Sequence, residues 1–127
     1  MVAILFEGKS DEKVLNQICD TYNLPKEEIK YFNFEGKDNI FNISHQYYNE
    51  LENDINILQR IDRILIIVDA DNDNDPNPNR GFEASKSKLK EIITDLDFDI
   101  AIDYYIMCDE NKEGNLESFL LSILDKE

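Results

Sequence analysis

A single histidine, His45, and two cysteines, Cys19 and Cys108, are the only imidazole and thiol groups among the chain's 127 residues. That scarcity excludes a structural zinc site built from one chain, whose four ligands come mainly from those two side-chain types. Two thiols are also too few for a disulfide scaffold. Long apolar runs are missing as well, and none approaches the roughly 18 residues of a membrane span. Met1 leads straight into Val2-Ala3-Ile4-Leu5-Phe6, without the basic segment that opens a signal peptide. The expectation is a soluble, cytoplasmic protein with no membrane partner. Positive charge is the other shortage: 13 Lys and Arg face 28 Asp and Glu, and 13 − 28 leaves a net charge of −15. Nonspecific binding to nucleic acid or to anionic membrane needs a positive surface field, so both are disfavoured. What is present is apolar material, 42% of residues, enough to pack an interior. The length suits one domain spanning 1–127.

Four apolar runs read as buried strands, at about 3–6, 29–34, 64–68 and 100–106, and a helix-period segment follows each. The first and third runs are continuous rather than alternating, which suits a parallel sheet covered on both faces. Val14, Leu15, Ile18, Cys19 and Tyr22 mark the first helix, with Ser10 or Asp11 as its cap and Cys19 toward the core. Ile40, Ile43, Tyr47, Tyr48, Leu51, Ile55 and Leu58 predict one long second helix, with His45 on its surface slightly off the apolar stripe. Phe82, Leu89, Ile92, Ile93 and Leu96 mark a third, and Leu116, Phe119, Leu120, Ile123 and Leu124 a closing one. Tyr104 and Tyr105 read as strand residues, and Cys108 beyond them as a structural thiol. The pattern βαβαβαβα predicts an α/β, Rossmann-like domain of three layers: a mainly parallel four-stranded sheet, of order about 2-1-3-4, with helices on both faces.

In such sheets functional groups gather beyond the carboxyl ends of the strands, where strand order reverses. Glu7 and Asp11 flank the end of the first strand, while Asp69 and Asp71 end the third and Asp73 and Asp75 follow in the loop. If the two strands are neighbours, these carboxylates converge. Two like charges about 4 Å apart repel by about 4 kcal/mol at an effective dielectric of about 20, and a divalent cation removes that cost. Oxygen ligands without histidine or thiolate favour Mg²⁺ or Mn²⁺, with Ca²⁺ the other hard cation. One Asp-rich loop alone would be a solvated loop. Here the first aspartates leave directly from the most apolar strand, and a second acidic pair leaves another strand on the same predicted edge. Glu7, Asp69 and Asp71 form the centre of the set, Asp11 doubles as a helix cap, and Asp73 is the candidate for a second ion. An EF-hand is set aside because Asn74 and Arg80 stand where its glycine and bidentate Glu belong. A dehalogenase-type phosphatase places its Asp-x-Asp near the start of the fold, whereas Asp69 lies past the middle.

A local echo adds lysines to the same rim. Glu7-Gly8-Lys9 and Glu35-Gly36-Lys37 each follow a strand, and Lys112-Glu113-Gly114 precedes the last helical segment. Lys9, Lys37, Arg80 and Lys112 are thus the candidates for contacting phosphate. Residues 3–10 also satisfy a relaxed Walker A spacing, but Ile4-Leu5-Phe6 would occupy what must be a polar, glycine-rich cradle, which argues against nucleotide hydrolysis by a phosphate loop.

Glu-Gly after the first strand, Asp-x-Asp after a later one and the compact α/β frame together resemble the toprim domain of bacterial-type primases, topoisomerases and the OLD-family nucleases. Glu7 to Asp11 and Gly114-Asn115-Leu116-Glu117 look most like the OLD-type branch and its small stand-alone relatives. The resemblance implies a catalytic acid/base or metal-binding role for Glu7, Mg²⁺ ligation by Asp69 and Asp71, and a second acid at Asp11. It further implies matches of Glu117 and Lys112 to a late acid and lysine of that branch. The chain lacks the tyrosine domain of a topoisomerase and the zinc module of a primase. The expectation is Mg²⁺-dependent phosphodiester hydrolysis, or related phosphotransfer, on DNA or RNA, with one or two ions. The alternative is a non-catalytic metal-binding module that works with a protein partner, and the acidity calls for such a partner or for a narrow lysine-lined cleft.

Overall fold

A computed structural model describes residues 1–70 and 81–107 of the chain. Among these residues the elements run β1 (Val2–Phe6), α1 (Lys9–Thr21), a 3-10 turn (Lys26–Glu28), β2 (Ile29–Asn33), α2 (Lys37–Ile40), α3 (Gln46–Asn56), β3 (Arg63–Asp69), α4 (Phe82–Leu96) and β4 (Ala101–Met107). The four strands form one sheet in the order β2-β1-β3-β4. Every neighbouring pair is parallel, with Val2 opposite both Ile29 and Arg63, and Arg63 opposite Ala101. The sequence pattern anticipated a mainly parallel sheet in this order, and the sheet is parallel throughout.

The two central strands owe their position to apolar residues on both faces. Ala3, Leu5, Ile64, Ile66 and Val68 face a core closed by α2, α3 and α4, through Ile40, Leu51, Ile55, Leu89 and Ile92. Ile4, Phe6, Leu65 and Ile67 face the opposite side, where α1 brings Leu15 and Ile18. Helices therefore cover both faces, as a parallel sheet requires. Residues 3–6 are fully buried strand, so they form no phosphate-loop cradle.

The long second helix of the sequence reading is in fact two. α2 stops at Ile40, and the chain turns through residues 41–45 before α3 begins. The break has a polar cause: Asn42 accepts from the Ser44 N–H at 3.1 Å through its side chain and from the His45 N–H at 2.9 Å through its backbone carbonyl. Asparagine and serine offer the backbone such local alternatives to a helix. Ile43, counted on the apolar stripe, falls in this turn and is exposed, and Leu58, also counted there, is exposed beyond the end of α3. His45 is not a surface residue of a helix but the N-cap of α3, where Nδ1 accepts the Tyr47 N–H at 3.1 Å. Its ring lies 4.7 Å from that of Phe34. Cys19 faces inward as expected, with Sγ 3.9 Å from the Tyr31 hydroxyl.

Candidate metal and phosphate site

Because β1 and β3 are parallel neighbours, the residues that leave them emerge side by side. Asp69 is the last residue of β3 and is exposed, while Val68 before it is buried in the core. Glu7, half-buried, is the first residue past β1. The two meet directly: the Asp69 backbone N–H donates to Glu7 Oε2 at 2.5 Å. This is also where the strand order reverses, since β2 lies on one side of β1 and β3 on the other.

Gly8 carries the chain from β1 into α1. Its N–H donates to Asp11 Oδ2 at 3.2 Å, and its carbonyl accepts from the N–H groups of Asp11 and Glu12 at 3.2 and 3.3 Å. The N-cap of α1 is thus Gly8 rather than Ser10 or Asp11, which both lie within the helix; Asp11 reaches back from the third helical position to the Gly8 N–H, in the first turn where negative charge is favoured. Burial pushes the Asp11 carboxyl above the usual aspartate range, and hydrogen bonds from the Gly8 and Glu7 backbone offset only part of that. A nearby cation would relieve the same penalty. Lys9 begins α1 and is exposed at this edge. Among the described residues nothing lies within 4 Å of where a Cβ on Gly8 would stand, so they leave open space beside the turn.

The second Glu-Gly-Lys copy is folded differently. Glu35 and Gly36 have φ of 57° and 142°, conformations that only Gly36 adopts without strain. Asn33 Oδ1 accepts the Glu35 N–H at 3.0 Å, and Asn39 Nδ2 donates to the Phe34 carbonyl at 2.8 Å, which locks the turn. Lys37 is thereby swung inward to 2% exposure. Its Nζ donates to the carbonyl of Asp69, and to that of Ala70 at 3.3 Å. Lys37 therefore stands inside the rim against the end of β3, whereas Lys9 stands out on the surface. A sequence signal for this exists: Lys37 precedes Ile40 and Phe41 by three and four residues, on the face of α2 that enters the core.

The structure thus joins Glu7 to the Asp69 backbone and Lys37 to the end of β3, while Asp11 bonds to Gly8 in the turn that follows β1, with Lys9 between them in the chain. Asp71, Asp73, Arg80, Lys112, Glu117 and Cys108 lie outside the described residues. Among the described residues no three His, Cys, Asp or Glu side chains are grouped to hold an ion. Glu7 and Asp69, the acids at the two adjoining strand ends, are oxygen donors of the kind taken by a hard divalent cation such as Mg²⁺ or Mn²⁺ rather than by zinc.

The family model described as "Protein of unknown function (DUF3226)" matches residues 2–127. The chain belongs to this family. The matched span contains both strand ends and both Glu-Gly-Lys turns, so the DUF3226 region includes the whole candidate site. No curated protein and no solved structure matches the chain. No helix among the described residues of this DUF3226 member is long and apolar enough to cross a membrane.

Proposed function

We propose that the protein is a toprim-like, Mg²⁺-dependent enzyme of phosphodiester hydrolysis or related phosphotransfer on nucleic acid. The observation that carries this reading is the meeting of Glu7 with Asp69 at the carboxyl ends of adjacent parallel strands, where strand order reverses. Glu7 and Asp69, joined by Asp71 two residues on, would hold the ion. A divalent cation in this position supplies Lewis-acid polarisation of a phosphoryl oxygen and makes bound water more acidic. Glu7 manages a proton at its carboxylate, held in place through Oε2 by the Asp69 N–H. Lys9 offers an exposed ammonium to a phosphate oxygen, and the open space beside Gly8 lets a ligand approach the backbone. Asp11 keeps the turn between them in one conformation.

The net charge of −15 supports a second reading, a non-catalytic metal-binding module whose partner carries the nucleic acid. One set of measurements separates the two. Mn²⁺ or Mg²⁺ should stabilise the fold by about 2.7 kcal/mol at about one hundred times Kd, seen as a rise of several degrees in Tm. Asp69→Asn combined with Asp71→Asn should abolish both the shift and cleavage of labelled DNA or RNA. Cleavage that persists in the double variant would refute the enzymatic reading. A metal-dependent shift without cleavage of either nucleic acid would select the binding module.

A further inference from the structure

Lysine is almost never fully buried unless partnered, because an ammonium withdrawn from water loses its hydration. Lys37 is nevertheless 2% exposed, and its Nζ is bonded to two consecutive backbone carbonyls, those of Asp69 and Ala70. The same two residues are gripped from other directions. The Asp69 N–H is held by Glu7 Oε2, the Ala70 N–H donates to the Met107 carbonyl at 2.8 Å, and the Ala70 carbonyl also accepts the Gly81 N–H at 2.6 Å. The end of β3 is therefore tied to the ends of β1 and β4, to the entry of α4 and, through Lys37, to the turn that follows β2. Of these ties, Lys37 alone is a cation. The tight turn at Glu35-Gly36 serves to deliver it there.

We infer that Lys37 is a positioning residue that braces the strand-end peptide of Asp69 and Ala70, and so sets the placement of the carboxylates that bind the cation. The inference rests on the reading of this rim as a divalent-cation site. It has a distinctive sign. Coulomb's law alone says that deleting a positive charge beside a cation site tightens metal binding. A brace predicts the opposite, because the freed strand end no longer presents its ligand in place.

The test uses the full chain with Lys37→Met and Lys37→Arg, in two parts. In metal-free protein, NMR hydrogen exchange should show the Asp69 and Ala70 amides opening about tenfold faster or more in Lys37→Met, while Leu5 and Ile66 keep their protection. Calorimetric titration with Mn²⁺ alone should then show binding weakened by about tenfold or more, with Lys37→Arg restoring much of it. Unchanged exchange at both amides, or Mn²⁺ binding that is unchanged or tighter in Lys37→Met, overturns the inference. A wild-type protein that binds no Mn²⁺ defeats the cation reading alone, and the exchange data still judge the brace. If Lys37→Met does not fold, the Lys37 ammonium protons of the wild type decide: slow exchange with water supports the brace, and exchange as fast as that of Lys9 overturns it.

Discussion

Asp54 is 2% exposed on α3, where Lys30 Nζ reaches one of its carboxylate oxygens and Arg60 the other, each at 2.8 Å. Burial by itself would raise its pKa, but the hydrogen bonds from Lys30 and Arg60, with their charges, hold the carboxyl below the usual range. A carboxyl whose folded pKa is depressed binds its proton less tightly in the native state. Its stabilisation is therefore present above the ordinary Asp value of about 3.9 and is lost as pH falls through the lower folded value. Asp54→Asn should destabilise the protein by about 2–3 kcal/mol at neutral pH, and the gap to wild type should narrow in acid. Urea denaturation at neutral and acid pH checks this, and an equal gap at both would contradict it. The residue was legible in principle, since Leu51, Asp54, Ile55 and Leu58 share helical spacing and place an aspartate within an apolar stripe. Its partners were not, because Lys30 sits on another element and Arg60 in the connection to β3.

At the level of elements, β1 and β3 were plain in the sequence, because strands buried on both faces leave unbroken apolar runs. The α2 and α3 region was not. Periodicity records which residues are apolar, and Ile43 within the turn stands three residues after Ile40 and four before Tyr47, so the helical spacing runs on without a visible break. What docks α3 against β2 is an aromatic group around Phe34, the residue just past β2, with Tyr47 and Tyr48 each at 5.2 Å and the His45 ring at 4.7 Å. Phe34 is almost wholly buried, and its own N–H donates to the Phe6 carbonyl, extending the β1–β2 ladder. Phe34→Ala should cost about 3–5 kcal/mol in urea unfolding, and Phe34→Leu clearly less. Equal losses from the two would show that the ring makes no specific contribution. Since this residue lies next to Glu35-Gly36-Lys37, Phe34→Ala should also loosen the turn that carries Lys37.

Over the whole molecule the acidity sets the terms of any encounter with nucleic acid. A chain of net charge −15 gains nothing from counterion release by itself, and binding must come from the cation, from Lys9 and its neighbours, or from a basic partner. Fluorescence anisotropy with labelled DNA or RNA at physiological salt and no divalent metal should detect no binding at protein concentrations up to about 100 µM. Tight metal-free binding would point to a basic surface and away from the proposed site. The amino-acid sequence by itself determined the α/β class, the strand order and the placing of Glu7 and Asp69 on one edge, because burial and crossover geometry follow from local apolar patterning. Tertiary structure alone decided which acid meets which backbone group and which carbonyls Lys37 reaches. The tripeptides are identical, but Asn33 and Asn39 flank only the second, and the packing of α2 into the core then draws Lys37 in against the end of β3 while Lys9 stays exposed.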